Sequence, residues 1–166
     1  MRRLMAIALA ALLAAGPVLA QSADTVTGPA RTIDADIIMV GQQRVILWGV
    51  DAPERDQLCF LNEQKWACWD GAKQELDLIL SRGEVTCALT GIADPFGRRH
   101  GTCTINGEDV GEALVRTGFG RAYVEQTDAY LATEEEAKAA QVGVWQEGAK
   151  VDDPWIWRKR NPGGFR

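Results

Sequence analysis

Apolar and β-branched residues dominate the stretch from residue 26 to residue 50, and this pattern is broken at two places. The breaks fall at Ala35 and at residues 41–43, which favours three short strands joined by tight turns. Two further stretches, residues 84–89 and 101–105, have the same strand-like composition and lie on either side of a turn-rich segment. The pattern therefore predicts five strands.

Helical spacing is found in three later segments. Between residues 69 and 80, apolar side chains recur every three or four positions, and Gly83 follows as a stop signal. Asp109, with Glu112 three residues further on, is typical of a helix that begins with a capping box. Residues 127–141 place a run of glutamates on one face and predict a third helix.

The order of these elements predicts the fold class. Three strands, a helix, two strands and further helices are typical of an α+β protein in which a five-stranded OB-type Greek-key β-barrel carries about three helices. Residues 21–150 are long enough for one such domain and too short for two. Residues 151–166 form a C-terminal tail rich in Trp and Pro, and we expect its last residues to be disordered.

The N-terminus has the features of an export signal. Arg2 and Arg3 precede an apolar run over residues 4–15, and small residues up to Ala20 form a cleavage site. A membrane anchor is the alternative, but the run is shorter than the roughly 20 residues needed to cross a bilayer. We therefore interpret residues 1–20 as a signal peptide and expect a periplasmic or secreted protein with no membrane attachment after cleavage.

Four cysteines follow the proposed signal, and an even number in an exported chain indicates disulfide bonds. A zinc site is the alternative, but the spacings match no common zinc pattern and the chain has a single histidine, His100. The spacing predicts that Cys87 pairs with Cys103 across the fourth and fifth strands. Cys59 would then pair with Cys68.

Two aspartates lie where a strand hairpin would bring them together. Asp36 begins the second predicted strand and Asp51 ends the third, so their carboxylates would meet at one rim. With the carbonyl of Ala52 and several waters they could hold a calcium ion, which accepts six to eight oxygen ligands. Asp34 would add negative charge beyond the ligands. The alternative is that these aspartates are ordinary turn residues at strand ends.

Two more residues near the strand ends have chemistry suited to hydrolysis. Glu54 follows the stiff Ala52–Pro53 step, where it could deprotonate a water beside the metal, although a solvated glutamate is the simpler interpretation. Arg98 ends a turn over residues 94–98 that contains Pro and Gly, and its guanidinium could bind phosphate oxygens. The alternative there is a plain turn with a solvated arginine, and we interpret His100 beside it as a surface residue.

Five segments together resemble the thermonuclease, or staphylococcal nuclease, family in order and spacing; they are residues 33–36, 49–54, 94–98, 106–118 and 143–145. The resemblance implies calcium-dependent hydrolysis of phosphodiester bonds in DNA or RNA. It also implies roles for single residues. Asp36, Asp51 and the Ala52 carbonyl would bind one calcium ion, Glu54 would be the general base, and Arg98 would stabilise the phosphate.

The chain also departs from the family pattern. Tyr123 lies where the family often has a tyrosine lining the nucleotide pocket, but Glu125 places a negative charge near it. Ile46 stands five residues before Asp51, where active members carry a second arginine on the phosphate. Arg44 lies on the same strand face and could partly substitute for that arginine in substrate binding. Such arginines contribute roughly 10³ to 10⁵ in rate, so the resemblance with this departure implies an attenuated enzyme.

The interpretation is therefore an exported, monomeric, nuclease-like hydrolase that acts on nucleic acid. Two alternatives remain, a catalytically degenerate OB-fold binding module and a structural domain of the cell envelope. The formal net charge of −5 gives no sign of a general nucleic-acid-binding surface. Glu54 favours the enzyme because a pure binding module needs no base, whereas Ile46 favours the alternatives.

Overall fold

A computed structural model describes residues 24–91 and 93–163. The predicted signal peptide, residues 1–20, lies outside the described residues, as do the last three residues of the tail. The strands are β1 (Asp24–Gly28), β2 (Ala30–Asp34), β3 (Ile37–Val40), β4 (Gln43–Leu47), β5 (Val50–Asp51), β6 (Cys59–Leu61), β7 (Gln64–Trp66), β8 (Val85–Thr90), β9 (Arg98–Ile105), β10 (Glu108–Asp109), β11 (Arg121–Ala122) and β12 (Ala149–Lys150). The α-helices are α1 (Cys68–Leu80), α2 (Val110–Arg116), α3 (Leu131–Ala139) and α4 (Pro154–Arg160), and a short 3₁₀ helix spans Gly143–Trp145.

The main sheet has seven strands in the order β1-β8-β9-β4-β3-β2, with β10 added to β9. Its pairs are antiparallel except β4 and β9, which run parallel with Arg44 opposite Arg98. Two small sheets, β11-β5 and β12-β6-β7, join distant segments of the chain. The predicted α+β class is confirmed, and the sheet is consistent with an OB-like fold, although its pairing within the described residues follows an open path.

The strand prediction is corrected at two places. The first predicted strand is divided at Pro29, which has no N–H to donate, so β1 pairs with β8 while β2 pairs with β3. The last predicted strand begins at Arg98 instead of residue 101, because parallel pairing with β4 extends it. The short strands of the two small sheets were not predicted, since each depends on a partner far away in the sequence.

The first two helices agree with their sequence signals. In α1 the buried side chains include Ala72, Leu76 and Ile79, at helical spacing. In α2 the Asp109 carboxylate accepts a hydrogen bond from the Glu112 N–H at 2.9 Å, as expected of an N-cap.

The later helices differ from the prediction. Helix α3 begins at Leu131 and is shorter than the predicted range 127–141. The residues directly before it form turns instead of helix, and the hydroxyl of Tyr130 there donates to the Asp109 carboxylate. Helix α4 was not predicted at all, since residues 151–166 were interpreted as a tail. No helix in the described part of the chain is long and apolar enough to cross a membrane.

The core lies between the main sheet and helices α1 and α2, and its fully buried side chains include Ile38, Leu47, Leu76, Ile105 and Leu114. Both predicted disulfides are confirmed. Cys87 and Cys103 face each other across β8 and β9 within this core. Cys59 and Cys68 join β6 to the first residue of α1.

Candidate functional site

A cavity of about 350 Å³ opens where β2, β3, β4 and β5 end. Six of the seven predicted metal-binding, catalytic and substrate-binding residues line it: Asp36, Asp51, Ala52, Glu54, Arg98 and Tyr123. Arg44 does not line it. The Arg44 side chain is exposed, and its guanidinium donates to the Phe96 carbonyl at 3.4 Å. Ile46 lines the wall at the position where the family resemblance predicts an arginine.

The turn between β2 and β3 carries the first two carboxylates. Asp34 ends β2, and its Oδ1 accepts hydrogen bonds from the Ala35 N–H at 2.9 Å and from the Trp69 indole N–H at 2.5 Å. Asp36 follows in the turn, and its carbonyl accepts from the Leu47 N–H of β4 at 3.0 Å. Helix α1 and strand β4 therefore fix this turn from both sides.

Asp51 comes from a different part of the fold. It lies in β5 opposite Arg121 of β11, and its side chain is buried. Its Oδ1 accepts from the Ala52 N–H at 3.1 Å. The β5–β11 pairing thus holds the second predicted metal ligand against the cavity.

Like charges crowd this cavity. Burial raises the pKa of Asp36 well above its ordinary value, and the negative charges of Asp51, Glu54 and Asp34 raise it further. A positive charge placed among these carboxylates would relieve the repulsion. The positive charge of Arg158 offsets part of this repulsion, and the cavity remains acidic.

The residues fit a calcium ion in kind and charge. Among residues 24–91 and 93–163, no three or more His, Cys, Asp or Glu side chains form a metal-binding group. A calcium ion at the predicted site would have as ligands the carboxylates of Asp36 and Asp51, a carbonyl such as that of Ala52, and water. Both oxygens of Asp51 also accept hydrogen bonds from Arg158. Calcium suits hard oxygen donors and a loosely defined shell of this kind.

Glu54 is held at the cavity by the turn that follows it. Its N–H donates to the Gln57 side chain at 3.1 Å, and the Gln57 N–H donates to the Glu54 carbonyl at 2.9 Å. The buried Gln57 amide in turn donates to the Asp152 carbonyl at 2.6 Å. Burial raises the pKa of Glu54, and hydrogen bonding to Arg158 partly offsets this effect.

Arg98 is fixed by the turn before it. Asp94 accepts hydrogen bonds from the N–H groups of Phe96 and Arg98, both at 2.9 Å, and from the Arg98 Nε–H at 2.6 Å. Gly97 has φ of +73°, which favours glycine at this position of the turn. The two terminal nitrogens of Arg98 make no hydrogen bond within the described residues, so they are available to an anion in the cavity.

Tyr123 and His100 also line the cavity. The Tyr123 hydroxyl donates to Glu125 at 2.6 Å, so the negative charge expected near the pocket is bound by the tyrosine itself. His100 is half-buried, and its ring contacts the Trp48 ring edge-on at 5.6 Å. Burial and the nearby charge of Arg98 lower its pKa. The interpretation of His100 as a plain surface residue is therefore wrong.

Sequence reasoning missed Arg158, which reaches the cavity from α4. Its Nη1 donates to Asp51 at 2.8 Å and to Glu54 at 2.6 Å, and its Nη2 donates to the other oxygen of Asp51 at 2.6 Å. A local signal for the helix existed, because Pro154 directly after Asp153 is typical of a helix start. Nothing local indicated where that helix packs.

Comparison with known proteins agrees with this architecture. The family described as staphylococcal nuclease homologue matches residues 44–147. Succinoglycan biosynthesis protein ExoI of Rhizobium meliloti (strain 1021) is 35% identical over 134 residues, which cover 76% of this chain and 68% of that protein. Protein ParB of Escherichia coli is 32% identical over 173 residues, covering 94% of this chain and 90% of its own length.

A plant relative is also similar. Staphylococcal-like nuclease CAN1 of Arabidopsis thaliana is 31% identical over 129 residues, which cover 76% of this chain and 36% of that protein. The chain thus spans about a third of this relative and most of the two bacterial ones. Matched by the family over well more than half of its length, the chain belongs to the staphylococcal nuclease family, whose domain supports a nuclease-like function.

Proposed function

We propose that this protein is an exported, calcium-dependent endonuclease that hydrolyses phosphodiester bonds in DNA or RNA. The observation that carries the proposal is that Asp36, Asp51, Glu54 and Arg98, four residues from three separate segments, line one cavity. Family membership supports the same reaction class. The two disulfides support an oxidising compartment such as the periplasm or the exterior.

Each of these groups has a distinct part in the reaction. Asp36, Asp51 and the Ala52 carbonyl hold the metal, which when bound supplies Lewis acidity to the phosphate. Glu54 accepts a proton from the attacking water as the water oxygen bonds to phosphorus. Arg98 donates hydrogen bonds to the phosphate oxygens while the bond to the leaving sugar oxygen breaks. Tyr123 contacts the nucleotide at the cavity wall.

A nuclease assay tests this function directly. The protein is incubated with single-stranded DNA, double-stranded DNA and RNA, in millimolar calcium and in excess chelator. We expect cleavage with calcium and none with chelator. Glu54→Gln should slow cleavage at least about 100-fold, because general bases contribute about 10² to 10⁴ in rate. Glu84→Gln, which alters an exposed glutamate before β8, is the matched control and should cleave like the unmodified protein.

The same assay contradicts the proposal in two ways. Equal cleavage by the Glu54→Gln protein would remove Glu54 as the base or reveal a contaminating nuclease. Binding of oligonucleotides without any cleavage would instead support the alternative of a catalytically degenerate binding module.

A further inference from the structure

We propose that Arg158 is a substrate-binding arginine of this site, supplied by a C-terminal helix outside the region that the family matches. The inference rests on the proposed function, because it assigns Arg158 to the phosphodiester that this site would hydrolyse. Arg158 lies eleven positions beyond the end of the matched region, which is residue 147. It therefore lies in the part of the chain that follows the matched region.

The charge balance of the cavity indicates why a second guanidinium is needed. The carboxylates of Asp34, Asp36, Asp51 and Glu54 line the cavity and would repel a phosphodiester. On the basic side, the described lining includes only two arginines, Arg98 and Arg158, together with the half-buried His100. An anion entering this space would be bound best where both guanidinium groups face it, since arginine can present paired donors to two phosphate oxygens.

The guanidinium of Arg158 is both oriented and partly available. Its hydrogen bonds to Asp51 and Glu54 use three of its five N–H groups. The Nε–H and one Nη2–H make no hydrogen bond within residues 24–91 and 93–163. Its side chain is 28% exposed, so it remains accessible from the cavity. Two carboxylates thus orient the donor, and Asp51 and Glu54 would exchange part of these contacts when the proposed metal and attacking water bind. A guanidinium oriented in this way is suited to stabilise the charge of a transition state.

Helix α4 is fixed on the rim by contacts at and just before its first turn, on the N-terminal side of Arg158. Pro154 is buried, and the Trp155 ring lies 5.4 Å from the ring of Tyr123. Asp153 pairs with Arg121 of β11, next to the strand that carries Asp51. The carbonyl of Asp152 receives the Gln57 amide from the turn after Glu54. The helix is therefore attached to the same elements that carry the site.

The position of Arg158 changes what Ile46 implies for the activity of the site. On β4, Ile46 pairs with Ile37 of β3 and with His100 of β9, and its apolar side chain leaves that wall without charge. Arg158 brings a guanidinium into the same cavity from a different direction. The attenuation expected from Ile46 is then absent, because the cavity keeps two arginines.

Four variants test the assignment: Arg158→Ala, Arg158→Lys, the control Arg160→Ala, and Ile46→Arg in the Arg158→Ala background. Arg160 lies on the same helix but is exposed and pairs with Asp152. We expect Arg158→Ala to lower kcat/KM for single-stranded DNA at least about 100-fold, as removal of one transition-state donor does. Arg158→Lys should lose less of this kcat/KM than Arg158→Ala, because lysine keeps the positive charge but lacks the paired donors of arginine. Ile46→Arg in the Arg158→Ala background should raise kcat/KM again by at least about tenfold, a fraction of the roughly 10³ to 10⁵ that such arginines contribute.

Binding provides a readout that is independent of catalysis. In a Glu54→Gln background, Arg158→Ala should weaken binding of a fluorescent single-stranded oligonucleotide about tenfold or more, which corresponds to loss of one charge-assisted contact. Arg160→Ala should leave binding unchanged. Melting curves of every variant establish that the fold is retained, and if Arg158→Ala unfolds, Arg158→Lys and Arg158→Gln decide the outcome by the same two readouts.

The outcomes are distinct. Faster cleavage by Arg158→Ala would overturn the proposal and make Arg158 an inhibitory contact on Asp51 and Glu54. Equal losses of kcat/KM in Arg158→Ala and Arg160→Ala would contradict the assignment, because the effect would then come from the positive charge of the helix in general and not from Arg158. If the unmodified protein binds oligonucleotide but never cleaves, the proposed function fails, and the Arg158 assignment then stands or falls on the binding difference alone.

Discussion

Asp36 is the residue at which the charge of the site is concentrated. Burial and the charges of Asp51, Glu54 and Asp34 raise its pKa, while the charge of Arg158 lowers it only in part. The hydrogen bonds of Arg158 go to Asp51 and Glu54. A carboxylate in such surroundings costs stability until a cation arrives. Asp36 is therefore the residue whose neutralisation should separate the stability of the protein alone from its response to calcium.

Asp36→Asn should have effects of opposite sign with and without calcium. In chelator the variant should melt at the same temperature as the unmodified protein or higher, because one repelling charge is gone. Calcium at ten times its Kd should stabilise the unmodified protein by about 1.4 kcal/mol, or roughly 3 °C or more in Tm, since it binds only the folded state. The variant should lose most of that shift, as measured by calorimetry.

Asp77→Asn is the control for this measurement, because Asp77 is exposed on α1 and lies outside the cavity lining. Its calcium response should equal that of the unmodified protein. A melting temperature of the unmodified protein that does not move at millimolar calcium would argue against a calcium site at Asp36 and Asp51.

Among the elements, α3 holds the strand that supports the site. Glu134 of α3 is buried, and it accepts hydrogen bonds from Arg121 at 3.2 Å, from the Ala122 N–H at 3.0 Å and from Lys138 at 2.8 Å. Strand β11, to which Arg121 and Ala122 belong, pairs with β5 and hence with Asp51. One carboxylate thus links a surface helix to the strand pair behind the cavity.

The stability contributed by Glu134 should depend on pH. Burial alone would raise its pKa, but hydrogen bonds from Lys138 and the Ala122 N–H and the charge of Arg121 outweigh burial, so the pKa lies below its ordinary value. A group with a lowered pKa in the folded state stabilises above its unfolded pKa and loses that effect as the pH falls. Glu134→Gln should therefore cost about 2 kcal/mol at pH 7, and the difference should shrink below about pH 4.5.

Urea unfolding across this pH range measures the effect, with Glu135→Gln as the matched control. Glu135 neighbours Glu134 on α3 and also contacts Lys138, but its side chain is 69% exposed. The control should change the free energy of unfolding by less than about 0.5 kcal/mol. A constant difference between Glu134→Gln and the unmodified protein from pH 7 to pH 3 would contradict the assignment.

At the scale of the whole molecule, the two disulfides act in different places. Cys87–Cys103 lies within the buried core of the main sheet. Cys59–Cys68 joins a small outer sheet to the start of α1, where Ala67 offers no side-chain cap. The Cys59–Cys68 bond therefore attaches the segment that follows Glu54 to helix α1.

Removal of this outer disulfide should lower stability without changing the fold. The double variant Cys59→Ala, Cys68→Ala should lose about 2 to 4 kcal/mol in free energy of unfolding, because the unfolded chain is no longer constrained by a closed loop. Urea titration with and without reductant measures it. In a reductant that opens both bonds the variant and the unmodified protein should unfold alike, and a large remaining difference would assign the loss to packing.

Local sequence patterns were sufficient for features that form within a few residues. Apolar spacing identified α1, Asp109 and Glu112 identified the start of α2, and the turn before Arg98 followed from its Pro and Gly. In these cases the hydrogen bonds and the buried face repeat within one or two turns of chain. Strand-end positions and the turn before Arg98 singled out the carboxylates and Arg98 that line the cavity, and the family resemblance added a role for each of them.

Tertiary structure alone decided the rest. Arg158 reaches Asp51 across 107 positions of sequence, and Pro29 divides a strand whose two parts pair with β8 and β3. His100 becomes a cavity residue only because β9 lies parallel to β4. These contacts depend on which distant surfaces pack together, and no local period carries that information. The sequence therefore determined the family and the acidic side of the site, while packing of α4 decided where its second guanidinium lies.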